Sequence, residues 1–192
     1  MLRLPAVLAS RYRLATAHEV HSWSFGLVRT IRHPAAIRWE QRVGTLDDQR
    51  IFGPTRDLEC ACGKYWGAEC RGMICDRCGV KVTVREERRR RFGHIELPIS
   101  IPHPLGDESE LVSAVPVLPA IFFESPAGKD LSRAYEGLIQ AVTVESQTDI
   151  VAGLSRLIDC LLPVVTLAHE WDLTESSVLA RGLVLESREE DT

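Results

Sequence analysis

The chain has 192 residues, 45% of them hydrophobic and 26% charged. This balance is typical of a folded globular protein and excludes a fully disordered chain. No apolar run reaches the about 18–20 residues of a membrane-spanning helix, so we expect no membrane partner. The net charge of −4 is uneven: residues 1–105 hold 18 Lys and Arg against 11 Asp and Glu, whereas residues 106–192 hold 5 against 16. The basic first half suits contact with a polyanion, and the acidic second half suits protein or solvent.

The first elements in chain order are short. Residues 1–17 contain arginine but no acidic residue, and Pro5 interrupts their apolar stretch, so we expect a flexible arm. Thr16 and Glu19 form a capping-box pattern, which predicts a short helix. Residues 37–39 suggest extended structure, and the alternation of residues 80–84 predicts a half-buried strand. Residues 95–105 contain three prolines and cannot form a regular helix.

The second half of the chain is predicted to be mainly helical. Residues 106–110 are a candidate linker, and residues 112–123 are apolar and expected to be buried and extended. Apolar residues then recur at helical spacing over 131–142 and over 150–162, where Pro163 should end or kink the helix. A weaker helix is predicted over 174–185, and an acidic tail over 186–192.

Six cysteines are present, and five of them fall between positions 60 and 78. Cys60 and Cys62 form one close pair and Cys75 and Cys78 another, which favours a metal site in a reducing compartment over a disulfide framework. Four thiolates bind Zn²⁺ tetrahedrally in closed, structural sites. We therefore predict one structural zinc ion on these four residues, in a cytoplasmic protein. The alternative is a set of buried, reduced cysteines without metal.

The other candidate ligands fit this site less well. Cys70 lies between the two pairs, but four sulfurs already saturate a tetrahedral ion. Cys160 falls on an apolar helical stripe, where a small core residue is expected. His94 and His103 flank the proline-rich stretch without ligand spacing to the cysteines. A closed site has no open coordination position, so we expect it to support folding and not catalysis.

Several ordered blocks resemble the start of the bacterial RNA polymerase β′ subunit. The resemblance covers residues 18–105. Its blocks are residues 21–26 (HSWSFG), 50–54 (RIFGP), 57–65 (DLECACGKY), 71–80 (RGMICDRCGV) and 93–97 (GHIEL). Residues 115–119 (VPVLP) and Asp130, Leu131, Tyr135 and Ile139 are more weakly similar to a later segment of that subunit. The resemblance implies a short, truncated β′-like protein with a zinc ribbon at residues 57–82.

This sequence lacks the catalytic loop of the family. The family's Asn-Ala-Asp-Phe-Asp-Gly-Asp loop, whose carboxylates hold the Mg²⁺ ions of nucleotidyl transfer, does not occur here. The chain is therefore not expected to polymerise RNA alone, and no small-molecule substrate is implied.

The resemblance also suggests a nucleic-acid surface, since the family's ribbon lies near upstream DNA and the RNA exit path. Tyr65 and Trp66 could stack on a base, although packing against the ribbon is the other interpretation. A solvated charged face is the alternative for the basic residues. The basic candidates for phosphate contact are Lys64, Arg71, Arg77, Lys81, Arg88, Arg89, Arg90 and Arg91.

These features together predict an α+β fold: a small zinc ribbon with short β-strands, followed by a helical C-terminal segment. The predicted organisation is a flexible arm (1–17), a β′-like region (18–105) containing the ribbon (57–82), a dock-like segment with two or three helices (106–185) and the acidic tail (186–192). The leading hypothesis is a transcription-related protein that binds RNA polymerase subunits, DNA or RNA. The alternatives are an interaction module unrelated to transcription and a fragment of a split polymerase that is active only when assembled.

Overall fold

The computed structural model describes residues 5–31, 38–107, 109–123, 128–170 and 176–188. The fold is α+β, with small sheets, short helices and a longer helical pair, which confirms the predicted class. The elements are α1 (Ala6–Ala9), β1 (Tyr12–Leu14), α2 (Ala17–Trp23), β2 (Ser24–Leu27), α3 (Gln49–Phe52), β3 (Phe92–Pro102), β4 (Leu111–Val117), α4 (Gly128–Val144), α5 (Gln147–Glu170), α6 (Ser176–Gly182) and β5 (Leu185–Ser187). Short 3-10 turns cover Trp39–Arg42, Ala68–Cys70, Arg85–Arg89 and Ala120–Phe123.

A three-stranded sheet with the order β2-β3-β4 forms the centre of the protein. Strand β3 runs parallel to β2 and antiparallel to β4, with Gly93 opposite Val117 and Ile95 opposite Val115. The β3–β4 register shifts between Glu96 and Ile101. Pro98 lies in that interval, and a proline cannot donate a hydrogen bond to the ladder. The proline-rich stretch is therefore an extended strand with an irregular middle.

The predicted helical stripes correspond to α4 and α5, which pack as a hairpin. Their apolar faces enter the main core, where Tyr135 is fully buried and donates its hydroxyl hydrogen bond to the Pro116 carbonyl at 2.9 Å. A side chain at Gly153 would meet the Leu138 backbone at 3.0 Å, so glycine permits the close helix approach. Helix α5 does not end at Pro163 but continues to Glu170.

The main core is one continuous cluster of apolar side chains that unites both halves of the sequence. It includes Leu8 near the N-terminus, Phe52 of α3, Ile95 of β3 and Leu157 of α5. Residues 18–105 and 106–185 therefore share a core. The ribbon at residues 57–82 instead has a small cluster of its own, formed around Cys60, Cys75, Cys78, Val80 and Val82.

The structure differs from the expected flexible arm at the N-terminus. Strand β1 pairs antiparallel with β5, placing Tyr12 opposite Ser187 and Leu14 opposite Leu185. Leu8 is fully buried. The segment is ordered because β1 pairs with β5. The two strands lie more than 170 residues apart along the chain, and local sequence patterns do not reveal such a contact. Residues 1–4 lie outside the described residues.

Other local predictions have mixed outcomes. The capping box is confirmed, since Thr16 Oγ1 accepts from the Glu19 N–H and the Glu19 carboxylate accepts from the Thr16 N–H. Residues 39–42 form a 3-10 turn and are not extended, while residue 37 lies outside the described part. The third helix is shorter than predicted and leads into β5, which takes the first residues of the expected acidic tail; residues 174–175 and 189–192 are outside the described ranges.

Within the described residues, no helix is long and apolar enough to cross a membrane.

The packing of the N-terminal segment gives a stability prediction. Leu8→Ala removes a fully buried side chain from the main core, and we expect the free energy of unfolding to fall by about 2–5 kcal/mol. Chemical denaturation monitored by circular dichroism measures this difference. Arg11→Ala, which truncates an exposed side chain in the same segment, is the control and should change stability little. Equal stability of the Leu8 variant and wild type would show that the segment is loosely attached.

Candidate metal centre

Two tight hairpins bring the four predicted cysteine ligands together. In the first, the Cys60 N–H donates to the Tyr65 carbonyl at 3.0 Å. In the second, the Cys75 N–H donates to the Val80 carbonyl at 2.9 Å. Each hairpin thereby turns its cysteine pair toward the space between them.

The predicted strand at residues 80–84 is reduced in the structure. Within residues 57–82, all of which are described, β-pairing is limited to the antiparallel bridges Glu59–Trp66 and Ile74–Lys81. The predicted alternation of burial is present, because Val80 and Val82 are buried and Lys81 is exposed. The backbone reverses direction at each cysteine pair, which leaves too few extended residues for a longer ladder.

The sulfur geometry suits a single tetrahedral ion. All four Sγ atoms lie within 4.8 Å of one another, and both the Cys60–Cys62 and the Cys62–Cys75 sulfur pairs are 3.6 Å apart. Four sulfurs that are each about 2.3 Å from a zinc ion lie about 3.8 Å apart at the tetrahedral angle. A disulfide would instead need about 2.0 Å. The four cysteines are free thiols and could hold a metal ion.

Backbone N–H groups approach these sulfurs and affect their ionisation. The Tyr65 N–H donates to Cys60 Sγ at 3.3 Å. Burial raises the pKa of Cys62 to about 12. Burial acts in the same direction on Cys75, but the N–H groups of Cys78 and Arg77 outweigh it and lower that pKa to about 7. Since a metal ligand must be the thiolate, metal binding here releases protons and weakens as the pH falls.

Glycines follow both cysteine pairs for a backbone reason. Gly63 has φ +73° and Gly79 has φ +72°, a left-handed conformation that disfavours other residues. Nothing lies within 4 Å of where a Gly63 side chain would begin, so the dihedral angle alone accounts for glycine there. This is the local signal that made the hairpins recognisable in the sequence.

The remaining cysteines and histidines lie outside this cluster. Cys70 packs partly buried against the ribbon, and Cys160 is partly buried at the main core, where burial raises its pKa. His103 is buried in the body of the protein, which lowers its pKa to about 4, and its Nδ1 accepts from the Leu105 N–H. His94 lies on β3 beside Glu96.

The part of the protein that contains the main core, here called the body, makes a charged contact with the ribbon. This contact was not predicted from the sequence. Arg50 of α3 donates to the Asp48 carboxylate from Nε at 3.0 Å and from Nη2 at 2.7 Å. A side chain at Gly79 would meet Arg50 Cδ at 3.1 Å, so the arginine lies against the second hairpin. Its positive charge is therefore close to the Cys78 sulfur. Trp39 adds an apolar contact with the ribbon cluster.

Asp48 holds this contact in place from a buried position. Its side chain is 4% exposed and accepts from the Gly44 N–H at 2.8 Å and the Arg50 N–H at 3.0 Å. Burial alone would raise the carboxyl pKa, but the hydrogen bonds from Arg50 and Gly44 outweigh it and lower the pKa below its ordinary value. The carboxylate therefore orients Arg50 while remaining ionised.

The basic residues predicted for phosphate contact divide into buried and exposed sets. Arg88 is 8% exposed and donates to the Gly53 carbonyl at 3.1 Å. Arg91 is 5% exposed, stacks on the Phe25 ring and pairs with Glu87. Both side chains therefore lie mainly inside the protein. Arg88 lies within the 3-10 turn Arg85–Arg89, and Arg91 follows that turn, directly before β3.

The other candidates lie on the surface. Lys64 pairs with Asp76 at 2.7 Å and Arg89 with Glu86 at 2.9 Å. The exposed residues Arg71, Arg77, Lys81 and Arg90 form no ion pair with the described residues.

The two aromatic residues of the ribbon also separate. Tyr65 packs partly buried on the ribbon cluster, with Lys64 Nζ 5.3 Å from its ring centroid. Trp66 is 70% exposed. Of the two rings, that of Trp66 is therefore the one that is largely exposed to solvent.

Comparison with curated proteins finds RNA polymerase β′ subunits. The chain is 46% identical over 93 residues to the β′ subunit of Lactobacillus helveticus, a match that covers 47% of this chain and 7% of that protein. It is 47% identical over 96 residues to the subunit of Rhodopirellula baltica, covering 48% and 6%, and 45% identical over 93 residues to that of Leuconostoc citreum, covering 47% and 7%. No protein-family model matches the chain.

The resemblance inferred from the motifs is thus confirmed for about half of the chain, at 45–47% identity. The match spans only 6–7% of the length of these relatives.

The Asp48–Arg50 contact gives a pH-dependent prediction. Asp48→Asn removes the charge that orients Arg50, and we expect it to lower the free energy of unfolding by about 1–3 kcal/mol at neutral pH. Because the folded-state pKa is depressed, this stability is present above the ordinary carboxyl pKa of about 4 and is lost as the pH falls through the folded value. Denaturant titrations of both proteins from pH 7 to acid should converge.

The exposed Asp47→Asn variant is the matched control, since it makes the same chemical change next to the buried site. A difference between Asp48→Asn and wild type that stays constant down to strongly acidic pH would contradict the role of the ionised carboxylate.

Proposed function

We propose that the chain is a transcription-related, β′-like protein whose ribbon holds one structural zinc ion and contacts RNA polymerase subunits and nucleic acid. The observation that carries this proposal is the 45–47% identity of about half the chain to β′ subunits. The clustered cysteines support its zinc component.

The donor set favours zinc. Four thiolates are soft ligands that suit Zn²⁺ in a closed tetrahedral site, and the reducing cytoplasm keeps them available. Arg50 offsets part of the negative charge that four thiolates and one divalent ion would carry. With every coordination position filled by protein, the ion organises residues 57–82 and leaves no place for a substrate.

Charge placement on the ribbon favours a phosphate contact on one part of its surface. Residues 57–82 contain four basic and four acidic side chains, so the whole ribbon has no excess of positive charge before metal binding. Three of the acids are engaged: Asp57 accepts from the Arg85 N–H, Glu59 pairs with Arg56, and Asp76 pairs with Lys64. Arg71, Arg77 and Lys81 are left available, and such cations give salt-dependent affinity for a nucleic-acid backbone.

The ribbon also exposes large apolar side chains that suit a protein partner or a stacked base. Trp66 is 70% exposed, Ile74 68% and Met73 45%. Aromatic residues and methionine are enriched in the contacts of protein interfaces, and tryptophan also stacks on unpaired bases. Three large apolar side chains exposed on one small ribbon favour a binding role for its surface.

The proposed role is binding and not catalysis, because the chain contains no counterpart of the family's Mg²⁺-binding aspartate loop. A split polymerase would need those carboxylates from another chain. Ribbon-dependent binding to a non-polymerase protein, without nucleic-acid affinity, would instead favour an unrelated interaction module.

The zinc component predicts a metal content. After dialysis against zinc-free buffer, purified protein should retain about one zinc ion per chain, because closed four-thiolate sites bind zinc tightly. Cys75→Ser should lose the ion and the hydrogen-exchange protection of residues 57–82. Inductively coupled plasma mass spectrometry measures the zinc content, and hydrogen-exchange measurements test the protection of the ribbon. Cys70→Ser is the matched control, since Cys70 lies in the ribbon but outside the cluster, and it should keep the ion. A metal-free wild type with a protected ribbon would refute zinc binding.

The nucleic-acid component predicts a change in salt dependence. A variant with Arg71, Arg77 and Lys81 replaced by Ala should bind DNA or RNA more weakly, with a smaller dependence of log affinity on log salt, by about 0.7–0.9 per lost phosphate contact. Fluorescence anisotropy over a salt series measures the slope. Replacing the exposed Lys129, Arg133 and Arg156 of the acidic half by Ala makes the same change in net charge away from the ribbon. Equal losses in the two triple variants would show that only net charge matters.

A further inference from the structure

A second group of potential metal ligands lies on the three-stranded sheet, and it shares no residue with the cysteine cluster. His21 lies in the last turn of α2, and His94 and Glu96 are two residues apart on β3. Side chains two apart on a strand point to the same face. One ligand atom from each of the three residues lies within 4.8 Å of the others.

The three ligand atoms converge closely. His21 Nε2 is 2.7 Å from Glu96 Oε1, and His94 Nε2 is 3.2 Å from the same oxygen. The two imidazole rings meet edge to face, with centroids 5.0 Å apart. Two ligand atoms that are each about 2.1 Å from a metal ion lie about 3.0–3.4 Å apart at octahedral or tetrahedral angles. Shifts of a few tenths of an ångström would therefore admit an ion.

Ser24 orients His94 in the way that outer-shell residues orient metal-binding histidines. Its Oγ is 2.7 Å from His94 Nδ1 and accepts from the Gly26 N–H at 3.1 Å. The hydrogen bond at Nδ1 leaves Nε2 as the nitrogen that faces Glu96 and His21. A partner on the second ring nitrogen fixes the orientation of the ring, and metal-ligating histidines regularly have one. The His94 side chain is 13% exposed and is thus held from several sides.

We propose that His21, His94 and Glu96 form a second metal site, which binds a divalent transition-metal ion such as Zn²⁺. Two imidazole nitrogens and one carboxylate oxygen are a donor set of borderline softness, unlike the all-thiolate ribbon. The His21 and Glu96 side chains are 43% and 49% exposed, which gives the ion a path of entry and leaves its other positions to water. Because its ligands come from α2 and β3, the ion joins α2 to the sheet.

The experiment uses the full chain with its ribbon already loaded with zinc. Isothermal titration with Zn²⁺ should detect a second equivalent that binds more weakly than the first, since only three protein ligands hold it. His21→Ala and Glu96→Gln should each weaken this second equivalent by about tenfold or more. His18→Ala is the matched control, because His18 is exposed on the same helix but is not in the cluster, and it should bind the second equivalent like wild type.

Thermal unfolding supplies an independent readout, since a ligand that binds only the folded state raises the midpoint. Added Zn²⁺ should raise the midpoint of wild type and His18→Ala but not that of His21→Ala or Glu96→Gln. Circular dichroism checks that both site variants are folded. Because the His21 and Glu96 side chains are exposed, we expect their replacement to leave the fold intact, so that a loss of zinc binding can be assigned to the site. The proposal is overturned if wild type takes up no second equivalent, if the two site variants retain it, or if His18→Ala loses as much affinity as they do.

Discussion

Residues 57–82 contain too few apolar side chains to form a stable fold by burial alone, and this constraint shapes the rest of the ribbon. Their cluster is separate from the main core and is built around three buried cysteines and two valines. Pairing in the segment is limited to single-residue bridges, so the hydrogen-bond ladder is short. A tetrahedral ion bound by the four cysteines would supply the missing connection, because binding free energy at such a site is also folding free energy. The left-handed glycines and the backbone N–H groups near sulfur prepare the segment for that ion.

The body of the protein is built on a different principle. Its core is continuous from Leu8 to Leu185 and needs no metal to account for its burial. The contact between body and ribbon is partly electrostatic: buried Asp48 holds Arg50, and Arg50 lies against the second cysteine hairpin. The ribbon thus lies against a body that folds by apolar burial, and it exposes basic and apolar side chains on its surface. This arrangement suits a binding module that is carried by a stable scaffold.

Local structure could be predicted from the sequence, whereas contacts between distant segments could not. The cysteine pairs with their following glycines, the Thr16–Glu19 capping box and the stripes of α4 and α5 depend on residues within a few positions of one another. The order of the N-terminal segment depends on β5 at the other end of the chain. A run of four arginines likewise gives no indication that Arg88 and Arg91 are buried while Arg89 and Arg90 are exposed. His21 meets His94 only because α2 and β2 lie beside β3, so their sequence separation concealed the cluster.

The central claim is that the zinc-held ribbon joins this protein to the transcription machinery. Its most direct test is quantitative affinity purification of the tagged full chain from its own cells, with nuclease treatment, comparing wild type with a Cys75→Ser, Cys78→Ser double variant by mass spectrometry. The account predicts that wild type recovers polymerase core subunits in amounts comparable to its own amount in the sample. The double variant should recover none. Absence of polymerase from the wild-type sample, or equal recovery with the variant, would contradict it and leave the β′ similarity as evidence of ancestry alone.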